Sequence, residues 1–327
     1  MSKIRYIVAL FLCFSIFSSK LYADTTTKLF INVDSPAAVV IDYKTGRILY
    51  DKNASQKRPM ASLTKVLTSI MLVENCKMDE MIEVPKNAAW IGGSTVGLKK
   101  GDKVSAESLL YGMLLPSGND CAYTVGEHIG GSIENYGVMA TKKAHDIGAI
   151  NTSIANPHGL DNENHYSTAY DMALITRYAL NNKYINEAVA TKSKTVNFGS
   201  FSKNLNNTNA LLRSYEFADG VKTGFTNGAN RCLIASATKD NERYIAVVLG
   251  AETTKIRFND ARELLEESFN RYKIRDISDY LNFYINIPVI KGNIKSYEKK
   301  ISDSKEIPIT DEEYERIYIK QDVMQSI

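Results

Sequence analysis

Residues 58–76 read RPMASLTKVLTSIMLVENC. Leu63, Val66, Leu67, Ile70 and Met71 recur at the three-and-four spacing of one helix face, and Pro59 stands where a first helical turn tolerates proline. The pattern predicts a largely buried helix over Ala61–Glu74. Ser62 and Lys65 are three apart, so they share a face, with about 4.5 Å of axial rise between their Cα atoms. A serine hydroxyl is a weak nucleophile until a base takes its proton. A lysine desolvated among apolar neighbours, or crowded by other cations, sheds its charge and becomes such a base. A serine at a helix start also brings backbone N–H groups close to a developing oxyanion.

Outward from this helix the chain alternates in type. Upstream, AAVVIDYKTGRIL over Ala37–Leu49 gives two extended runs around a Lys44-Thr45-Gly46 turn, the pattern of a hairpin. Downstream, helices are expected over Ser105–Leu115, stopped by Pro116, then over Asp120–Ile129, ending at Gly130-Gly131, then over Ile133–Ile147 and Thr168–Leu180. Ser117-Gly118-Asn119 is a tight connector, and NPHGLDNENHYST, residues 156–168, is a polar loop. After Asp219-Gly220, Val221–Phe225, Arg231–Thr238 and Arg243–Gly250 are β-rich, and Arg257–Tyr272 is amphipathic. Strands open the domain, helices fill it and strands close it. That order predicts an α+β domain in which sequence-distant strands share one sheet. It ends near Arg275, giving a main domain over 24–275 and, over 276–327, part of a small β-rich domain with strand candidates NFYINIPV and ERIYIK.

The first 23 residues differ from the rest. Lys3 and Arg5 precede IVALFLCFSIF, a run of eleven residues that is too short to span a bilayer, which takes about 20, and has the size of a signal-peptide core with a cut after Ala23. Removing 1–23 takes away Lys3, Arg5 and Lys20 and no acid, so the formal charge falls from +3 to 0. No basic block remains to supply a phosphate footprint, so no nucleic-acid partner is expected. Cys76, Cys121 and Cys232 cannot all pair within one chain, and their spacing matches no metal motif. Cys76 and Cys232 read as buried thiols. Export without a disulfide framework suits a bacterial envelope.

No single motif carries the chemistry. Ser-x-x-Lys occurs five times, beginning at Ser62, Ser200, Ser236, Ser296 and Ser302; Ser-x-Asn occurs at Ser202 and Ser268 as well as Ser117; Lys-Thr-Gly occurs at Lys44 and Lys222. Context selects among them. Ser62 starts a strong apolar helix, Ser117 lies in a turn between helices, and Lys222 sits on a strand candidate after a turn. In the order Ser62, Ser117, Lys222 they place a nucleophile, a helical-lobe loop and a sheet-edge strand around one cleft.

These three motifs together resemble those of penicillin-binding proteins and class A β-lactamases. The stretches ASLTKVLT, LLPSGNDCAYTVGEHIGGS, NPHGLDNENHYSTAYDMALI, DGVKTGFTNGANRCLIASAT and IAVVLGA resemble the low-molecular-mass D-alanyl-D-alanine carboxypeptidases, peptidase family S11, of the kind found in spore-forming Gram-positive bacteria. The likeness covers residues 30–275 and continues more weakly over Asn286–Tyr318. It implies a serine β-lactamase/D,D-peptidase-like domain with an antiparallel sheet and a helical lobe. It further implies that Ser62 attacks the carbonyl between the last two D-alanines of a peptidoglycan stem peptide, with Lys65 as general base. The Ser62 and Phe225 N–H groups form the oxyanion hole. Ser117 relays a proton to the leaving amine in the positive field of Lys222, and Asn119 binds a substrate amide and orients Lys65. Lys222 and Thr223 hold the substrate carboxylate, Gly224 leaves room for its backbone along the strand, and Arg257 is a weaker carboxylate candidate. Water then hydrolyses the acyl-enzyme. No cofactor or metal is called for, and β-lactams are expected covalent inhibitors of Ser62.

Two departures from the family pattern stand out. The chain stops inside the second domain, so peripheral membrane association has no evident C-terminal anchor. Thr208 stands where some members carry an arginine before Asn209. Among alternatives, a class A β-lactamase would need a deacylating glutamate, for which the loop offers Glu163 alone. A D,D-endopeptidase would use the same site. A zinc peptidase would lean on His158, Asp161 and His165, with no His-Glu-x-x-His. A non-catalytic cell-wall-binding protein would bind peptide without acylation.

Overall fold

The computed structural model describes residues 31–281, 283–288, 296–301 and 305–317. The expected signal peptide lies outside them. Two compact units are present: Lys28–Lys273, and a smaller one that takes in the chain from Ile274.

The larger unit opens with the expected hairpin, β1 (Ala37–Asp42) and β2 (Ile48–Lys52). A 3₁₀ turn, Ala61–Leu63, leads directly into α1 (Thr64–Asn75). Every α1 residue from Thr64 to Leu72 is buried, as befits a helix surrounded by core rather than lying on a surface. The short pair β3 (Met81–Glu83) and β4 (Lys103–Ser105) leads to α2 (Ala106–Leu114), capped by the Ser105 hydroxyl, and α3 (Asn119–Gly130), ended by left-handed Gly131. Next come α4 (Ile133–Asp146) and α5 (Ala169–Ala179), capped by Ser132 and Thr168.

Sequence patterning passed over α6 (Lys183–Ala190), the hairpin β5 (Ser193–Asn197) and β6 (Ser202–Asn206), and the single turn α7 (Leu211–Ser214). The reason is physical. Only Val196 is buried in β5 and only Leu205 in β6, too little apolar alternation to register. The unit closes with β7 (Ala218–Thr226), β8 (Asn230–Lys239), β9 (Glu242–Ala251) and α8 (Thr254–Arg271).

One antiparallel sheet organises these elements, in the order β2-β1-β9-β8-β7. Its two faces are both covered. Val39, Ile41, Ile234, Val247 and Leu249 point into the core shared with the helical lobe. Their alternates Ala38, Val40, Leu233, Ala246 and Val248 meet Leu264 and Leu265 of α8 on the other side. Burial on both faces explains why these strands read as continuous apolar runs rather than as alternating ones. The lobe side holds α1, and β7 at the sheet edge lies against the 3₁₀ turn. The turn that carries Ser62 and the edge strand are thereby neighbours.

In the smaller unit β10 (Lys273–Asp276) is followed by α9 (Ser278–Leu281), β11 (Phe283–Pro288) pairs with β12 (Ser296–Ile301), and β10 pairs with β13 (Glu306–Ile309). Ile277, Ile307 and Ile309 form its core. NFYINIPV is therefore largely strand. ERIYIK is not, as far as it is described: Glu315 ends α10 (Asp311–Glu315), whose start is fixed by a Thr310–Glu313 capping box, and residues 318–320 lie outside the described part. Among the described residues no helix is long and apolar enough to cross a membrane.

Candidate active site

Ser62 lies in the 3₁₀ turn and Lys65 in the first turn of α1, one helical turn on. Lys65 Nζ is 2.9 Å from Ser62 Oγ, 2.7 Å from Asn119 Oδ1 and 2.6 Å from the His158 carbonyl oxygen. The last two atoms can only accept. A neutral amine has two N–H bonds and one lone pair, so donation to Asn119 and His158 leaves the lone pair facing the serine hydroxyl. Lys65 is completely buried, and its pKa is held well below the ordinary lysine range, first by loss of solvation and then by the Lys222 charge. Loss of solvation and the neighbouring charge favour the free base, and the three contacts accommodate it.

Two connectors hold this arrangement. Asn119, at the start of α3, donates Nδ2–H to the Gly92 carbonyl at 2.7 Å, which turns its Oδ1 toward Lys65. Beside it Asp120 accepts the N–H groups of Val96, Gly97 and Leu98 at 2.9–3.1 Å. The second connector is residues 156–160. Asn156 Oδ1 accepts from His158 N at 3.3 Å, an Asx turn, and from Gly159 N at 2.7 Å, which together present the His158 carbonyl to Lys65. Asp120, Gly159 and the His158 carbonyl are contributions that the sequence did not mark. Gly159 and His158 act through their backbone, and Asp120 through a carboxylate whose partners are backbone N–H groups distant in sequence.

Ser117 has φ +70°, an uncommon left-handed conformation for serine. Its buried Oγ has no hydrogen-bond partner among the described residues, so a hydroxyl is held ready for a group that the protein itself does not provide. On the edge strand Lys222 is fully buried and donates to the Thr223 carbonyl at 2.9 Å. Burial, then the Arg257 charge, brings its pKa down to about 7. Thr223 Oγ1 is 2.6 Å from Thr208 Oγ1, so the residue that replaces the family's arginine braces Thr223. Gly224 passes the nucleophile turn closely: a Cβ there would lie 3.0 Å from the Met60 oxygen and 3.2 Å from Ser62 N. The Phe225 side chain is exposed under the Arg231 guanidinium, which leaves its backbone as what it offers the cleft.

Arg257 stands in the first turn of α8 and faces the edge strand rather than solvent. It is buried and donates toward the Gly224 and Cys232 carbonyls at 3.2 and 3.4 Å, and its Nε has no partner among the described residues. Lys222 and Arg257 thus give the edge strand a positive, poorly solvated interior, suited to a substrate anion. The histidines once weighed as metal ligands are occupied otherwise. His165 Nδ1 accepts from Ala155 N at 3.0 Å and its other nitrogen is 2.7 Å from Thr64 Oγ1, while His158 Nδ1 accepts from Leu160 N. Asp161 accepts from Thr226 Oγ1 and Gly228 N. These residues order the loop. Of the cysteines, Cys121 and Cys232 are buried, but Cys76 is half-exposed because it caps α1 at its outer end.

The chain matches the family model of D-alanyl-D-alanine carboxypeptidases, peptidase S11, over residues 23–253. It is 36% identical to the D-alanyl-D-alanine carboxypeptidase DacF of Bacillus subtilis over 276 residues, 83% of this chain and 71% of that protein. It is 37% identical to DacC of Escherichia coli over 254 residues, 74% of this chain but 63% of that protein. Several such relatives are thus spanned only to somewhat under two thirds of their length. Among solved structures, the carboxypeptidase DacD of Francisella tularensis superposes with a TM-score of 0.72 at 32% identity, covering 85% of this chain and 82% of that one. The Streptomyces K15 DD-transpeptidase superposes with a TM-score of 0.70 at 29% identity, covering 73% and 98%. The α+β class expected from the order of strands and helices, and the serine D,D-peptidase-like fold that the motif resemblance implied, are the ones found. With its Ser-Lys pair, its helical-lobe connector and its Lys-Thr-Gly edge strand, this chain belongs to the D-alanyl-D-alanine carboxypeptidases of peptidase family S11, the low-molecular-mass penicillin-binding proteins.

Proposed function

We propose that this chain removes the terminal D-alanine of peptidoglycan stem peptides through an acyl-enzyme on Ser62, at the outer face of a bacterial envelope. The observation that carries the reading is the three-way contact of Lys65 Nζ, whose two acceptors leave its lone pair for Ser62 Oγ. Lys65 takes the Ser62 proton as Oγ attacks the carbonyl between the two D-alanines. The Ser62 and Phe225 N–H groups receive the oxyanion. Ser117 Oγ passes a proton to the leaving D-alanine nitrogen, and Lys222 and Thr223 hold its carboxylate, with Arg257 behind them. Asn119 holds Lys65 and contacts the substrate amide. Water cleaves the ester in the second half-reaction and restores Ser62.

The same attack on a β-lactam carbonyl leaves a long-lived ester on Ser62. Intact-mass measurement after exposure to a penicillin tests it: the wild type gains one adduct, Ser62→Ala gains none, and release of D-alanine from a peptide ending in D-Ala-D-Ala disappears with it. A folded wild type with neither adduct nor D-alanine release would overturn the reading in favour of a binding-only protein.

A further inference from the structure

The geometry points to a zinc site, outside the catalytic cleft, formed by Cys76, Glu80 and His128. The Cys76 sulfur, a Glu80 carboxylate oxygen and a His128 ring nitrogen all lie within 4.8 Å of one another. His128 Nε2 is already 3.1 Å from Glu80 Oε1. Ligand atoms around a tetrahedral zinc ion sit roughly 3.3–3.7 Å apart, given metal–ligand distances of about 2.0–2.3 Å. Side-chain adjustments on the order of 1 Å therefore close the site.

The donor set is one that zinc accepts: a thiolate, an imidazole and a carboxylate, with a fourth position for water. The surroundings favour a cation independently of these side chains. Cys76 caps the C-terminus of α1 and His128 stands in the last turn of α3, so the negative ends of two helix dipoles converge on the cluster. The Cys76–Glu80 turn also lines an open concavity with Lys77 and Asp79, which gives an ion a way in. The turn is anchored, because the Met78 and Glu80 carbonyls accept from Glu107 N and Ala106 N at 2.9 Å.

Zinc here ties together the far ends of the two helices whose near ends carry Ser62, Lys65 and Asn119. Across the 12 residues of α1 that is about 18 Å from the cleft. The ion brings no group to the reaction; it fixes the spacing of α1 and α3.

The test is equilibrium dialysis of the untagged chain against zinc chloride, followed by metal analysis, on the wild type, Cys76→Ser and His128→Gln. One zinc retained by the wild type, and a loss of at least tenfold in affinity in each variant, is the expected result. Penicillin acylation at the wild-type rate shows that the variants are folded. No retained zinc, or zinc retained equally by both variants, overturns the site. A second measurement needs no variant: zinc slows iodoacetamide alkylation of Cys76 in the wild type at least tenfold, and an unchanged rate also overturns it.

Discussion

Gly159 lies so close to Ala61 that a Cβ on it would come within 1.9 Å of the Ala61 carbonyl oxygen. Gly159 has φ +90°, and Ala61, just before the nucleophile, is itself left-handed at φ +49°. The 156–160 loop and the nucleophile turn therefore lock together through bare backbone. Gly159→Ala adds a steric clash to left-handed strain, and is expected to cost about 3 kcal/mol or more. Penicillin acylation should slow at least tenfold. Gly101→Ala is the control, since Gly101 is also left-handed (φ +84°) but has nothing near its Cβ direction; it should cost only about 1 kcal/mol. Thermal melts and acylation time courses of the two variants separate clash from strain.

The pH dependence of acylation should report a pair of lysines rather than one. Acylation needs Lys65 neutral, and the Lys222 charge helps to keep it so. With Lys222 brought down to about 7, the acidic limb of the rate profile belongs to both groups together. In Lys222→Gln the neighbouring charge is gone, Lys65 holds its proton to higher pH, and the limb should move to higher pH as well as losing amplitude. A lower amplitude with an unmoved limb would leave Lys222 only its role in holding the carboxylate. Stopped-flow acylation by a chromogenic penicillin across pH 5–9 distinguishes these.

Acid should destabilise the domain through two histidines. Burial, then the Lys65 charge, lowers His158 to about 3 and His165 to about 4, from 6.5. Both pKa values are depressed in the folded state, so between about 4 and 6.5 the unfolded chain binds more protons. Stability is then greatest above 6.5 and falls as pH drops through that window. The slope approaches roughly 1.4 kcal/mol per pH unit for each histidine. Urea midpoints at pH 7, 6 and 5 check it, and His165→Gln should flatten the decline. Gln can still offer an acceptor to Ala155 N and so limit the structural cost.

Asp120 is expected to matter without touching substrate. Its carboxylate latches the Val96–Leu98 backbone onto α3, while Asn119 N donates to the Ser94 carbonyl at 2.7 Å. Asp120→Asn turns an amide N–H₂ toward those donors and should cost about 1–3 kcal/mol. Hydrogen exchange at Val96, Gly97 and Leu98 should accelerate. Acylation should slow through misplacement of Asn119, and its acidic limb should move to lower pH, because the Asp120 charge is one of the influences that raise the Lys65 pKa.

Much of this was legible in the sequence, and what was hidden follows a rule. The helix of residues 61–74 and the β-rich runs before and after the lobe carry strong apolar patterning, because both faces of the sheet and the whole of α1 are buried. Ser62, Lys65, Ser117, Asn119 and Lys222 are visible because their chemistry needs particular side chains at fixed offsets. The His158 carbonyl and the Gly159 contact are hidden because backbone atoms have no letter in a sequence, and the Asp120 latch because its partners are backbone N–H groups. Cys76 misread as buried for a related reason: its apolar neighbours belong to α1, but the residue itself caps the outer end of that helix. In ERIYIK the alternation suggested a strand, and the preceding Thr310–Glu313 capping box decided for a helix up to Glu315.

The placement of β1 between β2 and β9, with Ala37 opposite Leu249, has a consequence for biosynthesis. A chain emerging from the ribosome completes α1 to α5 long before the strands that cover them exist. Until β9 is made, α5 has an apolar surface with no complete sheet to lie against, and β7, which carries Lys222, has no sheet to join. Non-local pairing of this kind is slow and leaves sticky intermediates, so the young chain depends on being kept unfolded. It also makes reactivity all-or-none with synthesis. A molecule stopped before Glu242 lacks the central strand of its sheet and should stay blind to penicillin, so that the drug does not label such unfinished molecules.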